Sequence, residues 1–103
     1  MRFLKEMYVG KGIRNKQSVM WKLQHGVGMI DIYVISISGG NNQLDCTSCA
    51  YFKQKAIREH VGLIVGLARG YSEAKELMIS MIEEALEVTG SANVKDYILN
   101  YKQ

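Results

Sequence analysis

Apolar and polar positions alternate in ways that divide the chain into short elements. The most legible stretch is residues 61–90. Residues 61–68 are almost all aliphatic, Gly70 follows, and then apolar side chains recur every three to four positions. Ala74, Leu77, Met78, Met81, Ile82 and Ala85 fall on one stripe of a helix. Ser72 is its expected N-cap, Glu73 and Glu76 suit the positive helix end, and Gly90 suits the C′ position. In the preceding strand Gly62 and Gly66 share a face and leave it thin, which predicts the close approach of a helix or another backbone.

Residues 29–38, MIDIYVISIS, read as a strand rich in β-branched side chains. Ile30, Ile32 and Val34 point one way and Tyr33, Ile35 and Ile37 the other, so the strand is expected to be central, covered on at least one face and partly shielded on the other. Residues 39–42, GGNN, suit a hairpin turn, with a return strand over residues 43–52. Residues 7–9, extended by Phe3 and Leu4, form a first short strand. Residues 15–25 carry a helical pattern in Val19, Met20 and Leu23, opened by Asn15 and closed by Gly26. Residues 53–60 read as a basic, polar connection, and Asn93 opens a last short helix bearing Val94, Tyr97, Ile98 and Tyr101.

The order is β-α-β-β-β-α-α. It predicts an α+β two-layer sandwich: a sheet of three or four strands, mostly antiparallel, with helices on one face. A length of 103 residues, without proline or repeats, implies a single domain over 1–103. The apolar runs are too short to span a membrane, which needs about 20 residues. Arg2, Lys5 and Glu6 leave no room for a signal-peptide core, so a cytoplasmic protein is expected.

Charge changes the picture more than composition does. Residues 1–58 hold nine Lys/Arg against three Asp/Glu, whereas residues 59–103 hold four against seven. Such asymmetry marks either an ordinary solvated surface or a site for an anionic partner. The candidate contacts are Lys11, Arg14, Lys16, Lys22, Lys53, Lys55 and Arg58. Trp21 lies opposite the Val19–Leu23 stripe, as a contact residue or as part of a wider buried face.

The remaining chemistry is sparse. Cys46 and Cys49 match CxxC, but on a regular strand residues three apart face opposite sides, where without a bulge their sulfurs can neither pair nor share a metal; a Cys₂His₂ zinc site with His25 and His60 is the conceivable alternative. His25 and His60 stand at element ends without finger spacing to the cysteines. Gly10-Lys11-Gly12 is too short for a phosphate loop, and Glu83 and Glu84 diverge on their helix. No acid, base and oxyanion donor converge, so the expectation is a protein that is not an enzyme and uses no metal or cofactor.

The order from Asn15 to Val88, with Gly70-Tyr71-Ser72-Glu73-Ala74-Lys75, resembles the double-stranded RNA-binding domain. That likeness implies shape-based binding of duplex RNA. It departs from the family at Glu73 and Glu76, which stand where a lysine cluster is usual, and at the hairpin of residues 39–42, which lacks the Pro and His common there. A second likeness covers nearly the whole chain. Trp21-Lys22-Leu23-Gln24-His25-Gly26, Phe52-Lys53-Gln54 and Ile64-Val65-Gly66-Leu67-Ala68 followed by Glu73-Ala74 resemble small proteins of clostridia-type bacteria with no known activity. It implies a bacterial cytoplasmic protein and carries over no site residue.

The expected role is a small non-catalytic binding or assembly domain. An exposed edge at residues 61–68 or at the first strand would suit a homodimer. The alternative is nucleic-acid binding through the basic surface of residues 11–58.

Overall fold

Two strands that are apolar on both faces form the centre of the sheet. They are β2 (Ile32–Ile37) and β4 (Ile64–Arg69), in a computed structural model that describes residues 1–103. They pair antiparallel. β3 (Leu44–Ser48) returns antiparallel beside β2, through the turn expected at residues 39–42. β1 (Phe3–Val9) adds on the far side of β4, parallel to it. The sheet order is therefore β1-β4-β2-β3. The α+β class and the mostly antiparallel four-stranded sheet are as the sequence predicts. Residues 61–68 are not an edge; β1 and β3 are.

A bulge sets the phase of β4. Ile35 stands opposite Gly66 but Ser36 stands opposite Ile64, so Val65 is an extra residue. Alternation reverses there. Val65 packs with Ile35 and Ile37, while Ile64 and Leu67 both pack with Ile32 and Val34 on the other side.

The helices divide between these two faces. α1 (Lys16–Gln24) and a 3₁₀ turn (Cys49–Lys53) cover Ile32, Val34, Ile64 and Leu67 with Val19, Leu23, Cys49 and Phe52. α2 (Lys55–His60) follows the 3₁₀ turn and adds Ile57 to the same core. α3 (Tyr71–Thr89) and α4 (Val94–Tyr97), continued by a π-helical turn (Ile98–Lys102), cover Ile35, Ile37 and Val65 with Met81, Ala85, Val94, Tyr97 and Ile98. The expected single-faced arrangement thus holds for α3 and α4 only. The cause is the second apolar face of β2 and β4, which must also be kept from water. The radius of gyration, 12.9 Å, fits one folded unit of this length, for which about 13 Å is usual.

Local chemistry explains the element ends. Asn15 and Asn93 cap as expected, accepting the N–H groups of Ser18 at 3.0 Å and Asp96 at 3.1 Å. Gly90 ends α3 in the left-handed region, at φ 78°. Ser72 is not a cap, because α3 begins one residue earlier, after Gly70 at φ 81°. The return strand stops at Ser48, whose hydroxyl accepts the Ala50 N–H at 3.4 Å and starts the 3₁₀ turn that carries Phe52 under the sheet.

Candidate nucleic-acid interface

The parallel pairing of β1 with β4 decides where the basic residues sit. It places Val9 beside Leu67, and the Gly10 N–H donates to the Leu67 carbonyl at 2.9 Å. Residues 10–14 therefore emerge next to Arg69. Glu73 clasps them: its carboxylate accepts the Gly12 N–H at 2.8 Å and the Arg69 N–H at 2.6 Å. The Arg69 Nε–H donates to the Gly12 carbonyl at 3.0 Å.

Four of the seven basic candidates line one continuous region or border it. Lys11 and Arg14, with Arg69, surround a cavity of 480 Å³. Arg14, Lys22 and Arg69 line a neighbouring cleft of 510 Å³ with apolar walls that include Ile13 and Ile30. Lys53 lies across Gly28 in the α1–β2 loop, so close that a Cβ there would collide with its side chain. Lys16 occupies the first turn of α1 without an ion-pair partner.

The other two candidates are engaged within their own segment. Arg58 Nη1 donates to the carbonyls of Phe52 at 2.7 Å and Lys53 at 2.9 Å, tying α2 to the 3₁₀ turn. Lys55 pairs with Glu59 at 3.6 Å, an exposed i,i+4 contact that stabilises little.

The charge asymmetry along the chain becomes a difference between faces. Segments 11–31 and 49–60, which cover one face, hold seven Lys/Arg and two Asp/Glu. Residues 71–103, on the other face, hold three and six. The basic layer also presents aromatic rings. Trp21 is 56% exposed and stacks on His25, with centroids 4.1 Å apart and planes at 19°. His25 is held by a hydrogen bond from its Nδ1 to the Trp21 carbonyl at 2.7 Å, which requires the proton on that nitrogen. Tyr51, in the 3₁₀ turn, is 57% exposed.

Arg69 is the member of this site outside the sequence-derived set. Its only signal was a cation at a strand end before glycine. The long-range parallel pairing that gives it meaning has no local signature.

The two thiols lie on opposite sides of the sheet. Cys46 stands opposite Ile35, on the α3 side of the sheet, while Cys49 is buried with Phe52 on the α1 side. Burial pushes both thiols up from their ordinary pKa, which disfavours thiolate. His60 bonds the Ala56 carbonyl at 2.8 Å, as His25 bonds that of Trp21. No three His, Cys, Asp or Glu side chains gather as a ligand set. No helix is long and apolar enough to cross a membrane. No protein-family profile, curated protein or solved structure matches the chain.

Proposed function

We propose that this domain binds nucleic acid through the layer built by α1, the 3₁₀ turn and α2, and that it acts by binding and not by catalysis. One observation carries the reading. Two basic segments about thirty residues apart in sequence cover the same face of the sheet, and one of them carries an exposed Trp21–His25 stack. Cations supply affinity for phosphates, and an exposed aromatic ring gives a stacking surface for unpaired bases. The bacterial cytoplasm is the proposed setting, on the strength of the sequence likeness to small clostridia-type proteins.

Trp21 is the sole tryptophan, so its fluorescence reports on the face directly. Titration with a short single-stranded RNA at low salt is expected to quench it. Trp21→Ala is expected to weaken binding about tenfold, the loss of one base stack. A duplex of the same sequence should bind more weakly, since its bases are not free to stack. Unchanged Trp21 emission together with unchanged anisotropy of labelled RNA removes the proposal.

A second reading concerns assembly. Ile82, expected on the core stripe, instead lies on the outer side of α3, where Ile79, Ile82 and Leu86 recur at spacings of three and four and are 52%, 36% and 46% exposed. That is the spacing of a helix-pairing seam, and a second copy of α3 would cover it. Light scattering at micromolar concentration is expected to give a dimer mass, lost in Ile82→Glu. A monomer mass for the unaltered chain contradicts it.

A further inference from the structure

We propose that the cleft at the carboxyl ends of β1 and β4 binds a phosphomonoester, the terminal phosphate of a nucleotide. The inference deepens the nucleic-acid reading and rests on it only for the class of ligand. The chain leaves β1 toward α1 on one face and leaves β4 toward α3 on the other. Neighbouring parallel strands whose following helices go to opposite faces leave a crevice outside their carboxyl ends, and open sheets hold ligands there. In this protein the crevice is the 480 Å³ cavity lined by Lys11, Gly12, Arg14 and Arg69.

Three of those four residues are cations, and none forms an ion pair, although Lys11 also lines a neighbouring 280 Å³ cavity with Glu73 and Glu76. The two ion pairs of the fold, Lys55–Glu59 and Lys102–Glu84, lie elsewhere. Glu73, beside the crevice, directs its two oxygens to the Gly12 and Arg69 backbone N–H groups. Arg69 is oriented by its Nε bond to the Gly12 carbonyl, which leaves its terminal nitrogens without a protein partner. Three cations around one cavity outnumber the single Glu73 carboxylate beside it, and a bound anion is attracted to that excess of positive charge.

The neighbourhood selects the anion. A phosphomonoester carries about two negative charges at neutral pH, more than an internal phosphodiester, and matches the forked geometry of guanidinium. The crevice shares Arg14 and Arg69 with the 510 Å³ cleft, whose walls include Ile13, Met29, Ile30 and Ile32. Ile30 is 87% exposed, with nothing in the chain covering it. Between Ile30 and Ile32, Asp31 adopts φ 62° and does not line the cleft; its carbonyl accepts the Gly70 N–H at 2.6 Å and ties this wall to the β4–α3 turn. A cationic end joined to an apolar bay suits a phosphate attached to a sugar and base. Both volumes lie in the usual small-ligand range of roughly 300–1,000 Å³.

Calorimetric titration of the whole chain with adenosine monophosphate, adenosine and inorganic phosphate tests this. The monophosphate is expected to bind at least about tenfold more tightly than the nucleoside, the effect of one or more charge-assisted contacts. Arg14→Gln, an exposed change, should weaken the monophosphate about tenfold with an unaltered circular dichroism spectrum. Ile30→Ser should weaken the monophosphate and leave inorganic phosphate unchanged. Equal binding of nucleoside and monophosphate, no heat from the monophosphate at millimolar concentration, or an indifferent Arg14→Gln overturns the inference. RNA with a 5′-phosphate is then compared with RNA ending in a hydroxyl. A preference identifies a strand end as the source, and no preference identifies the free mononucleotide. Retained monophosphate binding without RNA binding removes the basic-layer reading alone; the converse removes the cleft alone.

Discussion

Alanine at Gly62 is expected to destabilise the fold by about 2 kcal/mol or more, the effect of overpacking against a rigid group. A Cβ at Gly62 would overlap the Ile37 carbonyl oxygen. That oxygen is backbone in a central strand, and the same residue donates its N–H to the Leu63 carbonyl at 2.9 Å. Relief therefore requires β2 and the start of β4 to separate. Gly66 is a milder case. A Cβ there would lie 2.9 Å from the Met81 Cε, which can swing away, but also 3.2 Å from the Tyr8 carbonyl oxygen, which cannot. Gly39, where nothing lies within 4 Å of the added atom, serves as the control. Thermal melts should rank Gly62→Ala lowest, Gly66→Ala next and Gly39→Ala near the parent. At this length each kcal/mol moves the midpoint by roughly 4–8 °C. A Gly62→Ala midpoint equal to that of Gly39→Ala contradicts the packing described for this strand pair.

Glu84→Ala is expected to lower stability by a similar amount, about 2 kcal/mol, by removing a charged acceptor from two phenols. Glu84 accepts hydrogen bonds from Tyr8 and, at 2.6 Å, from Tyr97, and it pairs with Lys102 at 3.7 Å. Tyr97 is buried as a residue, with its hydroxyl directed at the partly exposed Glu84 carboxylate. The network links β1, α3, α4 and the C-terminal turn.

The network also fixes two limbs of a pH profile. Burial pushes the Glu84 pKa up, but the Tyr8 and Tyr97 hydroxyls and the Lys102 ammonium outweigh it and hold the carboxyl below its ordinary value. A lowered folded pKa stabilises above the unfolded value, about 4.3, and that contribution fades as pH falls through the folded one. Tyr97 is pushed up to about 12, first by its hydrogen bond to Glu84, then by burial. Tyr8 is raised too, first by burial and then by Glu84. Raised phenols stabilise fully below their unfolded pKa, about 10, and the contribution is lost as pH rises toward the folded value. Urea midpoints followed across pH should fall on both limbs in the parent; Glu84→Gln should flatten the acid limb and make the alkaline limb shallower, since burial still raises Tyr8. An unchanged profile in Glu84→Gln sinks the assignment.

The fold was legible in the sequence wherever a local signal sufficed. The α3 stripe, the Asn15 and Asn93 caps, the Gly90 stop and the two apolar faces of β2 all act within a few residues of themselves. The misreadings came from non-local forces. Residues 49–60 have no strong helical period, and they coil because Cys49, Phe52 and Ile57 must reach the second apolar face of the sheet. The Val65 bulge is invisible in an unbroken aliphatic run, yet it decides which side chains face α3. For the site, the basic residues were visible as a list. What the list could not show was which of them are spent internally, as Arg58 and Lys55 are, and that parallel pairing adds Arg69.

The most direct test of the basic layer is the salt dependence of RNA affinity. Five of the sequence-derived cations stay free of internal engagement by hydrogen bond or ion pair: Lys11, Arg14, Lys16, Lys22 and Lys53. Each phosphate neutralised contributes about −0.7 to the slope of log K against log salt for a single strand, so a slope near −3.5 is expected. Lys22→Gln with Lys53→Gln should reduce its magnitude by about 1.4. A slope near zero, or one that the double substitution leaves unchanged, contradicts nucleic-acid binding by this face.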